Sequence, residues 1–149
     1  MIIDDTYKTK FKLLILTNPS CSICKILVKN NLCSNIHLTK YYILSPYSKT
    51  DEENISNIFK VNDKLNLMKK IMIYSDDKQI FNNIKIENKD FEVEWKRNLI
   101  ISDYLINNYS IKGTPHFFIL DEKDEIIDNF DLSITIEEIL KFKLGGYNG

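Results

Sequence analysis

The chain has 149 residues, of which 44% are hydrophobic, and its formal net charge at pH 7 is −1. That length is enough for one domain with a hydrophobic core of its own. Arg97 is the single arginine and the lysines are scattered, whereas nucleic-acid binding proteins cluster basic side chains against phosphates, so the composition argues against nucleic acid as a partner.

The N-terminal part of the chain predicts a strand, a helix and a second strand. The run FKLLILT (residues 11–17) is short, apolar and β-rich, as is typical of a strand buried on both faces. Apolar residues then recur at helical spacing over residues 24–32, with lysines on the opposite face. IHLTKYYIL (residues 36–44) predicts the second strand. Residues 1–10 are expected to form a linker or an edge strand.

The middle of the chain, about residues 46–109, is predicted to be a helical insertion. Thr50 and Glu53 form a capping-box pattern ahead of apolar residues at helical spacing. Further helical stripes follow over residues 65–72 and 95–109. The polar stretch over residues 75–90 predicts a loop or a short irregular helix.

The last part of the chain predicts a hairpin and a helix. HFFIL (residues 116–120) and IIDNF (residues 126–130) are separated by a polar turn, as in a β-hairpin. A second capping box over residues 135–138 precedes an apolar helical stripe, and residues 145–149 are expected to be a flexible tail. The predicted order is therefore β-α-β, a helical block, then α-β-β-α, in one α/β domain over residues 11–144.

Cys21 and Cys24 form a Cys-x-x-Cys pair at the start of the first predicted helix. The free backbone N–H groups and the positive end of the helix dipole there favour a thiolate at Cys21. Cys24 lies one turn further along, within reach for an intramolecular disulfide. An attacking thiolate with a resolving thiol behind it is what thiol–disulfide exchange requires. The alternative is two packing cysteines, and the strand-then-helix context favours the redox pair.

A zinc site is the other alternative for the two cysteines. Cys33 and His37 could in principle complete a set of four ligands. A regular helix, however, places Cys33 about 13 Å beyond Cys24, because each residue adds about 1.5 Å, and that is too far to share one ion. We therefore expect no bound metal.

The segment Gly113-Thr114-Pro115 directly precedes the predicted strand at residues 116–120. Proline is unusual at that point of a sheet because it donates no backbone hydrogen bond. Taken alone, this pattern fits an ordinary trans proline, since only about 5–6% of X-Pro bonds are cis.

Taken together, LLILTNPSCSICK and YSIKGTPHFFILDEKDEII resemble the thioredoxin superfamily, and within it the catalytic domain of the periplasmic DsbC/DsbG disulfide isomerases. The resemblance covers about residues 11–143. It implies a thioredoxin-like fold with a helical insertion between the second strand and a cis-proline loop. It also implies that Cys21 is the nucleophile and Cys24 the resolving thiol. Thr114 and Pro115 would form the cis-proline loop, and the Thr114 backbone would pair with an extended substrate segment.

The chain departs from that superfamily near the cysteines. Ser22 and Ile23 lie between them, without the histidine found in DsbA, and Ile15 occupies the position where thioredoxin has a buried carboxylate. Proton transfer to and from Cys24 must then use water or another group. His116 is a candidate auxiliary group, although the alternation of side chains along a strand can equally direct it away.

The resemblance implies a thiol–disulfide oxidoreductase or isomerase that acts on cysteine-containing exported proteins. The dithiol of Cys21 and Cys24 would be its redox group, with no other cofactor, and a membrane or soluble redox partner would renew it. The alternative function is a non-catalytic thioredoxin-fold module for protein interaction or metal delivery.

Location and assembly are also expectations. The N-terminus lacks the apolar core of a signal peptide, and no apolar run approaches the roughly 18 residues that span a bilayer. The resemblance therefore implies a mature or trimmed form of a periplasmic or otherwise exported protein, with a cytosolic redox role as the alternative. DsbC and DsbG carry an N-terminal dimerisation domain, so we expect this chain to be a monomer and a dimer only if such a domain is missing.

Overall fold

The computed structural model describes residues 1–29, 36–74 and 84–131. Within these ranges the chain forms a five-stranded sheet and four helices. The strands are β1 (Ile2–Asp4), β2 (Lys12–Thr17), β3 (Thr39–Leu44), β4 (His116–Leu120) and β5 (Ile126–Phe130), and the helices are α1 (Ser22–Lys29), α2 (Lys49–Phe59), α3 (Lys64–Ile73) and α4 (Phe91–Asn108).

The sheet has the strand order β1-β3-β2-β4-β5. Strand β2 is central and runs parallel to β3, whereas β1 is antiparallel to β3 and β4 is antiparallel to both β2 and β5. The apolar run of β2 is buried on both faces, as its sequence predicts. The α/β thioredoxin-like architecture predicted from the sequence is confirmed, and helices α2, α3 and α4 lie between β3 and β4.

The hydrophobic core is divided by the sheet. Side chains alternate along β2, so Leu13 and Ile15 belong to one cluster and Leu14 and Leu16 to the other. The larger cluster also contains Cys24 and the buried apolar residues of α2 and α3. The smaller cluster is formed against α4. The first turn of α1 therefore lies on the side of the sheet with the larger cluster.

Helix α2 begins two residues earlier than its capping box predicts. Ser48 is the N-cap, and its hydroxyl accepts a hydrogen bond from the backbone N–H of Asp51 at 3.2 Å. The prediction that Thr50 caps this helix is therefore wrong. Both positions carry a hydroxyl followed three residues later by an acid, so the local pattern does not distinguish them.

Some predictions fall on parts of the chain outside the described residues. These are Cys33, the C-terminal helix with its capping box at residues 135–138, and the tail at residues 145–149. Of the loop predicted over residues 75–90, residues 84–90 are described and contain no helix or strand. Strand β1 lies within residues 1–10 and forms one edge of the sheet, while the domain boundaries stay a prediction.

Candidate redox site

Cys21 lies at the junction between β2 and α1. It occupies the N-cap position, directly before the first helical turn, and its carbonyl accepts a hydrogen bond from the backbone N–H of Lys25 at 2.9 Å. Both thiols are free: Cys21 is half-buried and Cys24 is 1% exposed. The pair thus consists of one accessible sulfur and one sulfur within the core.

The surroundings of Cys21 favour its thiolate. Burial acts to raise the pKa of this thiol, but hydrogen bonds oppose it and the net pKa lies below its ordinary value. The donors are the Cys24 backbone N–H, the Cys24 thiol, the Thr114 hydroxyl and the Ile23 backbone N–H. Backbone donors of this kind are the free N–H groups of a helix N-terminus, as the sequence predicts.

The surroundings of Cys24 have the opposite effect. Burial raises the pKa of this thiol to about 11, although the Thr17 hydroxyl and the Asn18 backbone N–H partly stabilise its thiolate. Donating a hydrogen bond to the Cys21 sulfur raises the pKa of Cys24 further. The proton is therefore held on Cys24 while Cys21 is the sulfur disposed to ionise.

The segment that precedes β4 lies directly against the cysteines. The Thr114–Pro115 peptide bond is cis, and the Thr114 carbonyl oxygen lies 3.5 Å from Cys21 Sγ. This contact follows from the antiparallel register of β2 and β4, in which Leu16 is paired with His116. The sheet thus brings together Cys21, Cys24, Thr114 and Pro115.

His116 lies on the other side of the sheet. Along β4, Phe117 belongs to the core cluster that contains Cys24, whereas Phe118 belongs to the cluster against α4. The His116 ring is 5.1 Å from the Phe118 ring, and its Nε2 is 2.9 Å from Asn129 Oδ1. Side-chain alternation therefore directs His116 away from the redox pair, contrary to the auxiliary role considered for it.

The loop that leads into α1 is held by a buried carboxylate that sequence reasoning missed. Asp51, on α2, is 4% exposed. It accepts hydrogen bonds from Ser20 Oγ at 2.6 Å and from Asn18 Nδ2 at 3.0 Å. Asn18 Nδ2 also donates to the carbonyl of Ser45 at 2.6 Å, while Asn18 Oδ1 accepts from the Ser20 N–H at 2.6 Å. The segment ahead of Cys21 is thereby fixed to the loop that follows β3.

The same loop reaches the cis-proline segment. Tyr47 lies between β3 and α2, and its hydroxyl is 2.6 Å from Thr114 Oγ1. Its backbone N–H donates to Asp51 Oδ2 at 2.9 Å. No local sequence pattern indicates this contact, because the two residues are 67 positions apart.

A cavity of about 200 Å³ is lined in part by Cys24. Ile15 and Thr17 also line it, and Asp4 and Lys40 contribute polar groups. Burial acts to raise the pKa of Asp4, but hydrogen bonds from Thr6 and the charges of Lys40 and Lys69 outweigh it and lower the pKa. A carboxylate on β1 thus lines the same cavity as the Cys24 thiol, although Ile15 occupies the position expected for a buried acid.

The zinc alternative gains no support from the described residues. His37 stacks on Tyr7, with ring centroids 4.5 Å apart, and Cys33 is outside the described ranges. Over residues 1–29, 36–74 and 84–131, no three His, Cys, Asp or Glu side chains are grouped as metal ligands. The same ranges contain no helix with the length and apolar character needed to cross a bilayer.

Solved structures share this fold at low sequence identity. The catalytic domain of ScsC from Proteus mirabilis has a TM-score of 0.66 at 18% identity, covering 97% of this chain and 89% of that one. The thiol-disulfide exchange protein alpha-DsbA2 from Wolbachia pipientis has 0.66 at 15%, covering 99% and 87%. Alpha-DsbA1 from the same organism has 0.65 at 14%, covering 94% and 88%. No protein-family model and no curated protein sequence matches the chain.

These similarities show the fold and revise one detail of the sequence interpretation. The structures are DsbA-like proteins and ScsC, so the specific resemblance to DsbC and DsbG is not supported. The two short motifs around Cys21 and Pro115 were therefore enough to predict the fold but not the branch within it.

Proposed function

We propose that the protein is a thiol–disulfide oxidoreductase in which Cys21 is the nucleophile and Cys24 the resolving thiol. The arrangement that supports this most strongly is a partly exposed Cys21 at the start of α1, beside the Thr114 carbonyl, with the buried Cys24 one turn further along. The pKa is accordingly lowered at Cys21 and raised to about 11 at Cys24. A pair of packing cysteines has no need of this asymmetry, whereas exchange requires one reactive thiolate and one protected thiol.

Each step of the proposed exchange forms one S–S bond and breaks another. In the reducing direction the Cys21 thiolate attacks one sulfur of a substrate disulfide, a new S–S bond forms, and the other substrate sulfur leaves as a thiolate. Cys24 then loses its proton and attacks the Cys21 sulfur. This releases the second substrate thiolate and leaves a Cys21–Cys24 disulfide, so two electrons pass to the substrate. Oxidation of a substrate dithiol is the reverse sequence.

We assign the preferred direction to oxidation of the substrate. Hydrogen bonds that stabilise the Cys21 thiolate stabilise the reduced protein, and a stabilised reduced form makes the corresponding disulfide a stronger oxidant. The isomerase role that the sequence interpretation gave as the other possibility has no comparable support.

Thr114 and Pro115 form the proposed substrate-binding edge. The Thr114 carbonyl lies beside the Cys21 sulfur, so an extended substrate segment that hydrogen-bonds to the Thr114 backbone would bring its own sulfur to Cys21. The substrates proposed are cysteine-containing proteins in an oxidising, exported compartment, because disulfides persist there. The monomeric state and a membrane or soluble redox partner stay predictions.

The cavity beside Cys24 supplies the proposed proton route. Resolution requires that Cys24 lose its proton, and its high pKa makes this step unfavourable without an acceptor. Asp4 and Thr17 line the same cavity, and a polar cavity of this size has room for water molecules with several partners. Water in this cavity is the acceptor that we assign to Cys24, because the lowered pKa of Asp4 makes its carboxylate a weak base.

A redox titration tests the proposed function. The reduced protein is equilibrated with mixtures of reduced and oxidised glutathione, trapped in acid, and alkylated for mass spectrometry. We expect a single two-electron transition that forms the Cys21–Cys24 disulfide. A Cys21→Ser variant should form no mixed disulfide with glutathione at this pair. A Cys24→Ser variant should accumulate a mixed disulfide between Cys21 and glutathione. Two thiols that remain reduced at every ratio would instead support a non-catalytic module.

A further inference from the structure

We propose that Tyr47 is a positioning residue for the redox pair: its hydroxyl orients the Thr114 hydroxyl toward the Cys21 sulfur, and Asp51 holds Tyr47 in place for this purpose. The inference rests on the proposed function, since it concerns the same thiol pair. It adds a residue that contacts neither cysteine to the group that controls their ionisation.

Tyr47 is placed by polar contacts more than by packing. Its side chain is 59% exposed, yet its hydroxyl lies 2.6 Å from Thr114 Oγ1, a short distance for a hydrogen bond between hydroxyl groups. An exposed tyrosine ring in a loop gains little from burial. The hydroxyl contact and the backbone contact of the same residue therefore fix its position.

The donors and acceptors available on the Thr114 side chain determine the direction of its hydrogen bond with Tyr47. A threonine hydroxyl has one proton to donate and two lone pairs that accept. Thr114 lies against Cys21, with its carbonyl oxygen 3.5 Å from the sulfur. A hydrogen bond from its hydroxyl lowers the pKa of each thiol, which requires that the hydroxyl donate to sulfur. Its only proton is then used. The bond between Tyr47 and Thr114 must in that state use the proton of Tyr47.

This direction makes Tyr47 selective for the reduced protein. When Cys21 is a thiolate, Tyr47 donates to Thr114 and Thr114 donates to sulfur, so each hydroxyl supports the next. When Cys21 and Cys24 are joined in a disulfide, no thiolate is present and the Thr114 proton can turn toward Tyr47. The tyrosine hydroxyl therefore stabilises the thiolate form in particular.

Asp51 anchors both sides of this arrangement. Its carboxylate accepts the backbone N–H of Tyr47 at 2.9 Å. The same carboxylate accepts from Ser20 Oγ at 2.6 Å, one residue before Cys21. Burial acts to raise the pKa of Asp51, but these hydrogen bonds outweigh it and the pKa lies below its usual range. A charged acceptor thus connects the loop that carries Tyr47 to the loop that carries Cys21.

The titratable groups close to Cys21 define what a pH experiment reports. On its own helix the neighbour is Cys24, and across Thr114 it is Tyr47 from the loop after β3. Asp51 faces the site from α2, behind Ser20. Since the pKa of Asp51 is already lowered, a change in Cys21 alkylation between pH 5 and 9 reports on the thiol pair.

The test uses the full chain in reduced form with a Tyr47→Phe substitution, which keeps the ring and removes the hydroxyl. The rate of Cys21 alkylation by iodoacetamide is followed by peptide mass spectrometry from pH 5 to 9. We expect the midpoint of the curve of alkylation rate against pH to move to higher pH. The alkylation rate near pH 6 should fall about two- to tenfold, the range for loss of one hydrogen bond. The glutathione equilibrium should shift toward the disulfide form by a similar factor.

Tyr74→Phe is the matched control. Tyr74 is 60% exposed and lies at the C-cap of α3, away from Thr114. The Tyr74→Phe variant should have the same pH profile of Cys21 alkylation as the wild-type protein. Thr114→Val, which removes the intermediate hydroxyl, should reproduce the effect of Tyr47→Phe, and adding Tyr47→Phe to it should cause little further change. Thr114→Ser keeps a hydroxyl and should retain the full response to Tyr47→Phe.

Either of two results would overturn the inference. One is a Tyr47→Phe protein with the wild-type alkylation profile and melting temperature. The other is a Tyr47→Phe effect that persists at full size in the Thr114→Val background, which would assign it to the ring or the loop. Alkylation of reduced Cys21 does not depend on turnover, so these outcomes are separate from failure of the wild-type protein to form a Cys21–Cys24 disulfide.

Discussion

The Cys21 thiol lies 3.5 Å from the carbonyl oxygen of Thr114, a residue 93 positions further along the chain. This contact joins the N-terminus of α1 to the segment that begins β4. It places the accessible sulfur beside a backbone edge suited to an extended peptide. In the proposed exchange, the reactivity of Cys21 and the recognition of a substrate therefore depend on the same few atoms.

The first prediction concerns the order of thiol reactivity. The pKa of Cys21 is lowered and that of Cys24 is raised to about 11, so only about 10⁻⁴ of Cys24 is ionised at pH 7. Cys21 should be alkylated well ahead of Cys24 and also ahead of Cys33. Its rate should stay high at neutral pH and decline as the pH falls through its lowered pKa. A brief iodoacetamide pulse followed by peptide mapping measures this, and faster labelling of Cys33 would contradict the assignment.

The second prediction compares the three cysteines in turnover. Cys33 lies nine positions after Cys24 in the sequence and has no assigned part in exchange. Reduction of insulin by dithiothreitol should fall to the uncatalysed rate with Cys21→Ser and remain nearly intact with Cys33→Ser. Equal losses in both variants would mean that Cys33 takes part in the redox chemistry or in a metal site.

The third prediction concerns Asp51. A carboxylate with a lowered pKa stabilises the folded protein above its unfolded pKa of about 3.9, and this stabilisation is lost as the pH falls through the folded pKa. Asp51→Asn leaves buried donors with a poorer acceptor and should reduce the free energy of unfolding at pH 7 by about 1–3 kcal/mol. Urea denaturation at pH 7 and at pH 3 measures the effect, which should shrink at the lower pH.

Glu53→Gln provides the control for this substitution, since Glu53 is exposed on the same helix. It should change the stability by less than about 0.5 kcal/mol at either pH. If Asp51→Asn and Glu53→Gln behave alike, the hydrogen bonds of Asp51 to the loop ahead of Cys21 do not stabilise the fold.

The fourth prediction separates attack from resolution. Asp4 lines the same cavity as Cys24, but its lowered pKa makes it a weak base, so water is the assigned proton acceptor. Asp4→Asn should therefore leave both the formation and the lifetime of the mixed disulfide within about twofold of the wild type. Rapid acid quenching with mass spectrometry resolves the two steps. Asp5→Asn, an exposed neighbour, is the control, and a mixed disulfide prolonged about tenfold or more by Asp4→Asn alone would instead place Asp4 in the proton route.

The sequence by itself determined the elements that carry the site. The apolar run of β2, the following Cys-x-x-Cys and the amphipathic start of α1 are local patterns, and each formed as predicted. The hairpin of β4 and β5 was equally readable because its strands are neighbours in the chain. These patterns also indicated which thiol is disposed to ionise, since the first turn of a helix has free N–H groups whatever the tertiary structure.

The tertiary structure decided which other groups surround the sulfurs. The register of β4 with β2 decides which residues of β4 face each side of the sheet, and it directed His116 to the side on which α4 packs. The pairing of β1 with β3 brought Asp4 to the cavity of Cys24. Packing of the loop after β3 against the loop before Cys21 brought Asp51 to Ser20. Each of these contacts depends on strand order and register between distant segments, which no local spacing of residue types specifies.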